Sequence, residues 1–376
     1  MERNEIIKAY GKDFKGMTER LLERSDLNGL IEKKAASLDT AKSRKELFIA
    51  IKPNLVVASP AEYGGTTHTE ILEGIIDYLR KYGYENIVIM EGSWVGDRTS
   101  DAFEYCGYNR LSREYDIKLI DMQKEKGSAV DCAGMSLNIC NIVKDVDFLI
   151  NVPIVKGHCQ TKVTCALKNM KGLIPNSEKR RFHSMGLHKP IAYLNTGIHQ
   201  DFIVIDHICG DYDFEEGGNP VVRNCVMTAL DPVLVDAYAC QLIGYDVSEV
   251  PYIGIAERLK VGKTTGMRII TIEGENNEDI PQTTKRKALE VSYAVDEVES
   301  CSACYGMLIP ALDKLRKEGL LDKLDTKIAI GQGHRGKTGC LGVGNCTRAF
   351  DYSVQGCPPK EEEIYNSLKR YIKSKG

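Results

Sequence analysis

Five short runs in this chain are apolar almost throughout: LFIAIKPNLVV (47–57), NIVIMEG (86–92), IKLIDM (117–122), VDFLINVPIVK (146–156) and FIVIDHI (202–208). A strand with one wet face alternates apolar and polar residues. A run without alternation fits a strand covered on both faces, as in parallel sheets sandwiched by helices. Between these runs lie helical patterns. After GGTTHTE, residues Leu72, Ile75, Ile76, Leu79 and Tyr82 fall on one stripe that stops at Gly83, and Thr67 and Glu70 are spaced as a capping box. Further helices are expected near 100–115, over TKVTCALKNMKGL (161–173), and over DPVLVDAYACQLIGY (231–245), whose leading acid and proline suit a helix start. The fold class that follows is α/β, a mostly parallel sheet flanked by helices. The first 45 residues read as charged and helix-prone.

Residues 278–290, EDIPQTTKRKALE, are polar and poorly patterned, and read as a boundary. They divide the chain into an α/β body, 1–290, and a small cysteine-rich C-terminal region, 291–376. At 376 residues the chain can bury one large core with a satellite. Its net charge of −3 argues against broad nucleic-acid binding, and Lys179, Arg180 and Arg181 read as a solvated loop. The N-terminus lacks the apolar core of a signal peptide, and no run approaches the ~20 apolar residues that cross a bilayer. The expectation is a cytoplasmic protein without a membrane span, whose thirteen cysteines are mostly reduced.

Five of those thirteen fall between 301 and 357. Cys301 and Cys304 form a C-x-x-C, Cys340 and Cys346 lie among glycines, and Cys357 precedes Pro358 and Pro359. Thiolates ligate iron–sulfur clusters, a short C-x-x-C lets two bind one cluster, and glycines let backbone N–H groups approach its sulfides. Cys301, Cys304, Cys346 and Cys357 are therefore the expected ligands of one 4Fe–4S cluster, with Cys340 a spare or an alternative. Zinc is the chemical rival, although zinc ribbons usually pair two C-x-x-C knuckles and this chain has one. Unrelated buried cysteines are the plain alternative.

The same stretch contains Gly331-x-x-x-x-Gly336-Lys337-Thr338, the letters of a nucleotide-binding P-loop. A P-loop needs a helix whose N-terminus receives the phosphates. The following GCLGVGNC has three glycines in eight residues and opens no helix, so the match reads as coincidence.

In the body, Lys52 and Asn54 follow one strand, Thr66, Thr67 and His68 precede a helix, and Lys156 and His158 follow another strand. Ligands of open parallel sheets bind outside the carboxyl ends of strands. With Lys168, Asn169 and Lys171 beyond, such a set suits a small carboxylate or phosphate molecule and acid–base chemistry. Lys52, His68, His158 and Lys168 are the candidate catalytic residues. Each taken singly also fits a structural role.

IKPNLV (51–56), TTHTE (66–70), VKGHCQTKVTCALKNMKGL (155–173) and DPVLVDA (231–237), with the terminal CSAC, GVGNC and GCPP, resemble the domain-of-unknown-function 362 family. The resemblance implies an α/β body with an associated iron–sulfur site, often in anaerobes, and supplies no reaction. Lys52, His68, Lys156, His158, Lys168 and Asn169 match its polar motifs. The chain departs from the pattern at DHICGDYDFEEGGNP, which leaves Asp206 and Glu216 without an assigned role. ALKNMKGLIP with His183 and His188 is also similar to nickel-pincer lactate racemases, although the usual Gly-Gly pair is absent.

The leading expectation is an iron–sulfur redox protein, an oxidoreductase candidate whose specific reaction stays open, acting on a small anionic molecule with an electron-transfer protein as partner. A homodimer is compatible with it. A non-enzymatic redox sensor or scaffold, and a nickel- or other metal-dependent racemase or isomerase, are the alternatives.

Overall fold

The computed structural model describes residues 1–39, 41–275 and 287–375. The chain forms two compact units: Met1–Gly157, Thr161–Phe182 and Leu187–Ile280, then His158–Gln160, His183–Gly186 and Pro281–Gly376. Most of the boundary stretch read at 278–290 lies outside the described residues.

The strands of the first unit are β1 (Glu5–Tyr10), β2 (Ile49–Lys52), β3 (Ile87–Glu91), β4 (Lys118–Asp121), β5 (Gly127–Cys132), β6 (Met135–Cys140), β7 (Phe148–Asn151), β8 (Lys156–His158, its last residue grouped with the second unit), β9 (Lys162–Thr164), β10 (Phe202–Asp211), β11 (Pro220–Ala229) and β12 (Arg268–Glu273). Eight of them make one sheet in the order β12-β1-β11-β10-β7-β2-β3-β4. Its pairings are parallel except where β11 lies antiparallel between β1 and β10. The sheet is thus mostly parallel, as the unalternating runs require. β5 and β6 form a separate hairpin.

Strand β1 departs from the helix-prone reading of the first 45 residues. EIIKAY is short and charged in part, yet Ile6, Ile7 and Ala9 are fully buried because β1 is paired on both sides. Helices α1 (Phe14–Arg24) and α2 (Leu27–Ala35) follow it. With α3 (Thr69–Lys81), α4 (Thr99–Tyr105) and α5 (Tyr108–Tyr115), they share one core with Ile49 and Ile51 of β2 and Ile89 of β3. Leu72, Ile75, Ile76 and Leu79 of α3 are completely buried, worth ~1.5–3 kcal/mol each. The single helix expected near 100–115 is two, interrupted at Cys106 and Gly107.

Two local expectations give way to tertiary contacts. Thr67 does not cap α3: its hydroxyl accepts from Asn54 N (2.8 Å) and donates to Val152 O (2.9 Å), and His68 takes the cap position. The helix read over 161–173 is instead β9, a short α6 (Ala166–Asn169) and a 3₁₀ turn at Met170–Leu173. β-Branched Val163 and Thr164 favour the strand. The remaining helices of the body are α7 (Asn176–Ser184, ending in the second unit), α8 (His188–Gly197), α9 (Pro232–Ile243) and α10 (Pro251–Arg258). Asp231 caps α9 by accepting from Val233 N and Leu234 N, and Gly244 ends it, as the sequence predicts.

The second unit holds α11 (Lys287–Val291), β13 (Val295–Glu297), α12 (Ser302–Lys317), β14 (Ile328–Ile330), β15 (Leu341–Val343), β16 (Tyr352–Val354) and α13 (Glu361–Lys375). Its four strands are parallel in sequence order. Leu308, Leu312 and Leu315 of α12 and Ile364 and Leu368 of α13 are fully buried. After Gly331 comes a 3₁₀ turn, Gln332–His334, and Thr338 leads into β15 three residues later. No helix follows to receive a phosphate.

A glycine marks where backbone segments of the body meet. A methyl group on Gly210 would lie 2.0 Å from Val155 O. Gly210→Ala should therefore destabilise the body by roughly 1–3 kcal/mol or more, since backbone must move to admit it. Gly254, inside α10, has only Arg258 within 4 Å, at an ordinary 3.6 Å. Gly254→Ala should stabilise by about 0.5–1 kcal/mol. Urea unfolding of the two variants should give midpoint shifts of opposite sign.

Candidate functional site

The polar residues at the carboxyl ends of β2, β3 and β7 converge in the body, and they are buried. Ile49 and Ile51 point into the helical core, so alternation along β2 sends Lys52 to the other face. There its ammonium donates to Pro53 O (2.6 Å), Glu91 Oε2 (2.7 Å) and Asn169 Oδ1 (3.2 Å). All three of its donors are used. Glu91 also accepts from Leu55 N (2.9 Å) and Gly92 N (2.7 Å). Lys52 is fully buried and Glu91 nearly so, and burial pulls the Lys52 pKa down while Glu91 opposes the fall.

Asn169 joins this pair to its neighbours. Its Nδ2 donates to Asn151 Oδ1 (2.7 Å), and its Oδ1 accepts from Asn54 Nδ2 (2.9 Å). Asn54 Oδ1 in turn accepts from Lys156 (2.9 Å), which also donates to Gly65 O (2.6 Å) and Glu215 O (2.8 Å). Burial pulls the Lys156 pKa down to about 7, although three acceptors around one nitrogen are the surroundings of an ammonium. Lys168 bonds Thr164 Oγ1 (3.1 Å) and pairs with the Glu215 carboxylate. Lys52, Asn54, Lys156, Lys168 and Asn169 thus form one connected network with Glu91, Asn151 and Glu215.

Those last three were absent from the sequence reading. Glu91 carried a signal, an acid ending the apolar run IVIME. Glu215 and Asn151 carried none. Lys179 corrects the reading of a solvated basic loop: it is buried in α7 and donates to Gly92 O (2.9 Å) and Ser93 O (2.8 Å). Only Arg180 and Arg181 reach toward solvent.

His68 stands apart from this network. Its backbone N–H and its Nδ1 both meet Asp206 Oδ2 at 2.8 Å. Burial opposes protonation, but the Asp206 carboxylate more than offsets it and raises the His68 pKa to about 11. The next residue, His207, behaves oppositely: burial and Arg223 hold it down to about 3, and its Nε2 meets Tyr212 OH at 2.8 Å. His158 is buried, with Nδ1 accepting from Gln160 N at 3.0 Å. His188 stacks on Tyr252, and burial lowers its pKa.

In the second unit three loops carry the thiols. Cys301 occupies the N-cap of α12 and Cys304 its first turn. Cys346 lies in the turn after β15, and Cys357 in the loop after β16. Asn345 ties the latter two loops together: its N–H donates to Gly356 O (2.9 Å) and its Oδ1 accepts from Gly356 N (2.9 Å). Gly344, at φ 90°, lets this backbone pass close: a methyl there would sit 3.4 Å from the Cys304 sulfur. A hydrogen bond with Cys301, then burial, then the charges of Cys301, Cys357 and Cys346, push the Cys304 thiol up. Its bond to Cys304 pulls the Cys301 thiol down, and Arg335 acts in the same direction. The Arg335 guanidinium also donates to Cys346 Sγ at 3.5 Å. Cys340 is exposed and acts on Tyr371 instead. Among the described residues, no three Cys, His, Asp or Glu groups are gathered tightly enough to hold a single metal ion.

The body is therefore a buried-charge α/β unit, and the second unit is a small parallel sheet carrying a thiol-rich loop set. Residues 49–241, more than half of the 376, match the family described as Domain of unknown function (DUF362), and the chain belongs to it. It is also similar to the thylakoid-associated protein sll1697 of Synechocystis sp. (strain ATCC 27184 / PCC 6803 / Kazusa), at 21% identity over 227 residues, which cover 57% of this chain and 69% of the relative. Among the described residues, no helix is long and apolar enough to cross a membrane.

Two predictions follow from the buried charges. Lys52→Met and Glu91→Gln should each cost about 3–5 kcal/mol, because each strands its partner, and the double variant should cost less than the sum. A double-mutant cycle by urea unfolding measures this. The second concerns pH. A folded-state pKa of about 11 for His68 exceeds the unfolded value, so its contribution is complete below about pH 6.5 and is lost as pH rises through 11. The stability gap between the wild type and His68→Gln should shrink steadily from pH 6.5 to 10.

Proposed function

We propose that the protein is an iron–sulfur redox protein whose second unit holds one 4Fe–4S cluster on Cys301, Cys304, Cys346 and Cys357. The observation that carries this reading is the mutual electrostatic influence of these four thiols, from three loops, with Arg335 beside them. In a 4Fe–4S cube each thiolate binds a different iron, so the sulfurs stand apart around a shared volume. A single zinc ion, with Zn–S ≈ 2.3 Å, draws its four sulfurs to roughly 3.8 Å from one another. The single C-x-x-C, where zinc ribbons usually pair two, supports the cluster over zinc. Arg335 offsets the anionic charge of a thiolate-ligated cluster, and glycine at 344 keeps the nearby backbone slim enough to approach its sulfides.

In the body, the reading is a site for a small carboxylate or phosphate molecule, with an electron-transfer protein as the cluster's partner. Its support is the concentration of buried ammonium groups at strand ends, Lys52, Lys156, Lys168 and Lys179. Lys168 and His68 are the candidates for proton handling, while Lys52 and Lys156 hold the surrounding backbone through their full sets of acceptors.

Protein purified without oxygen should be brown and carry about four irons and four sulfides per chain, with an EPR signal after reduction. Replacing Cys301, Cys304, Cys346 or Cys357 with serine should lower the iron content, and Cys340→Ser should leave it intact. Colourless protein with one zinc per chain would overturn the reading.

A further inference from the structure

His68 has a third partner that the cluster reading does not use. Its Nδ1 faces Asp206, and its Nε2 faces Cys209 Sγ at 3.8 Å. Carboxylate, imidazole and thiol therefore lie in line, each side of the ring engaged by one group. This is the arrangement in which a base oriented by an acid activates a nucleophile.

The strand geometry shows how three residues meet on one ring. Asp206 and Cys209 are three apart on β10 and would face opposite sides of a regular strand. The ladder with β11 is interrupted between them: Arg223 and Asn224 together oppose Ile208, and Asn224 takes a left-handed φ of 48°. Such a bulge kinks and twists a strand pair, and bulges recur beside active sites. Ile208 N donates to Asp206 Oδ1 (3.0 Å) at the interruption. Asp206 is further fixed by the His68 N–H, so the acid, the ring and the strand register are locked to one another.

A short turn lies against the thiol. Cys209 is 4% exposed, and its sulfur lies 3.4 Å from Ala61 O. Ala61 belongs to the three-residue turn Ala61–Tyr63, whose Glu62 and Tyr63 are exposed. That turn is held to the end of β10 and the loop beyond it by Asp211 N to Gly64 O (2.9 Å) and Gly218 N to Tyr63 O (2.8 Å), so an acyl donor reaching the sulfur past Ala61 would displace these two bonds.

We propose that Cys209 is a nucleophile that accepts an acyl group from a thioester or activated ester, with His68 as its proton partner and Asp206 as the positioning residue for His68. The proton shared by sulfur and Nε2 stays on the imidazole as the sulfur bonds the acyl carbon. The bond from that carbon to the leaving group then breaks, and the leaving group takes the proton from Nε2. The product is a thioester on Cys209, with no change of oxidation state. The site lies wholly in the body and is independent of the iron content of the second unit.

Cys106 supplies an internal control. It too is buried, at 9% exposure, and its sulfur lies against the same segment, 3.1 Å from Ser59 O, but its partners are oxygens of Val57, Ser59 and Thr66. Burial pushes its thiol up. The full-length protein should be treated with p-nitrophenyl acetate near pH 7.5, and acetylated cysteines quantified by peptide mass spectrometry. Cys209 should be acetylated at least about tenfold faster than Cys106, because its sulfur has an imidazole partner and that of Cys106 has only oxygens. In His68→Gln, with its fold checked by circular dichroism, that preference should fall to about twofold or less. Equal labelling of Cys209 and Cys106, no labelling of Cys209, or a preference that survives in folded His68→Gln would each overturn the assignment. Should His68→Gln fail to fold, the ratio within the wild-type protein decides alone.

Discussion

The body is organised around one costly act, the burial of ammonium groups at the ends of its central strands. A lysine taken wholly out of water is tolerated only when every donor finds an acceptor and a carboxylate stands near. Lys52 meets that condition with Glu91, Asn169 and the carbonyl of its own neighbour, and Lys156 with Asn54 and two carbonyls. Those acceptors come from β3, from the last residue of α6, from the segment between β2 and α3, and from the loop beyond β10. The strand ends, the 53–66 loop and the 210–217 loop must therefore be in place together. The diversion of Thr67 from helix capping to Asn54 N and Val152 O belongs to the same knot.

This explains why the fold was largely legible and the site only partly so. Strands buried on both faces announce themselves by unbroken apolar runs, and α3 and α9 by their stripes and stops. β1 was missed because its six residues carry Glu5 and Lys8, and only pairing on both edges buries the rest. β11 escaped notice because it follows an acidic, glycine-rich loop and begins exposed. The apparent helix at 161–173 failed where β-branched residues met a demand for backbone near Lys168 and Asn169. In the site, lysines and histidines next to strand ends were visible as types in a pattern. Their partners were not, since Glu215 lies 47 residues from Lys168 and Asp206 lies 138 from His68.

Two buried histidines, His68 and His207, show how partner choice sets charge. Both are buried, and burial alone would leave both neutral. His68 faces a carboxylate and is held as an imidazolium; His207 faces a phenol and the Arg223 cation and is held neutral. Asp206 is the residue immediately before His207, yet it serves the ring across the chain, because alternation turns neighbouring side chains of a strand to opposite faces. One strand thus supplies a charged site on one face and a neutral one on the other.

The thiols divide along the same physical line. Cys106, Cys165, Cys225 and Cys240 are buried, and burial is the largest influence on each, pushing its thiol up, so they stay protonated and serve as small core residues. The C-terminal four lie in loops with Arg335 beside them, and Cys209 lies against an imidazolium. A donor cation in direct contact with the sulfur, not one merely nearby, distinguishes Cys346 and Cys209 from the core thiols. Counting cysteines in the sequence could not make that distinction, because Arg335 is 11 residues from Cys346 and His68 is 141 from Cys209. Which cation meets a given sulfur is therefore a property of the fold, set by contacts far apart in the chain.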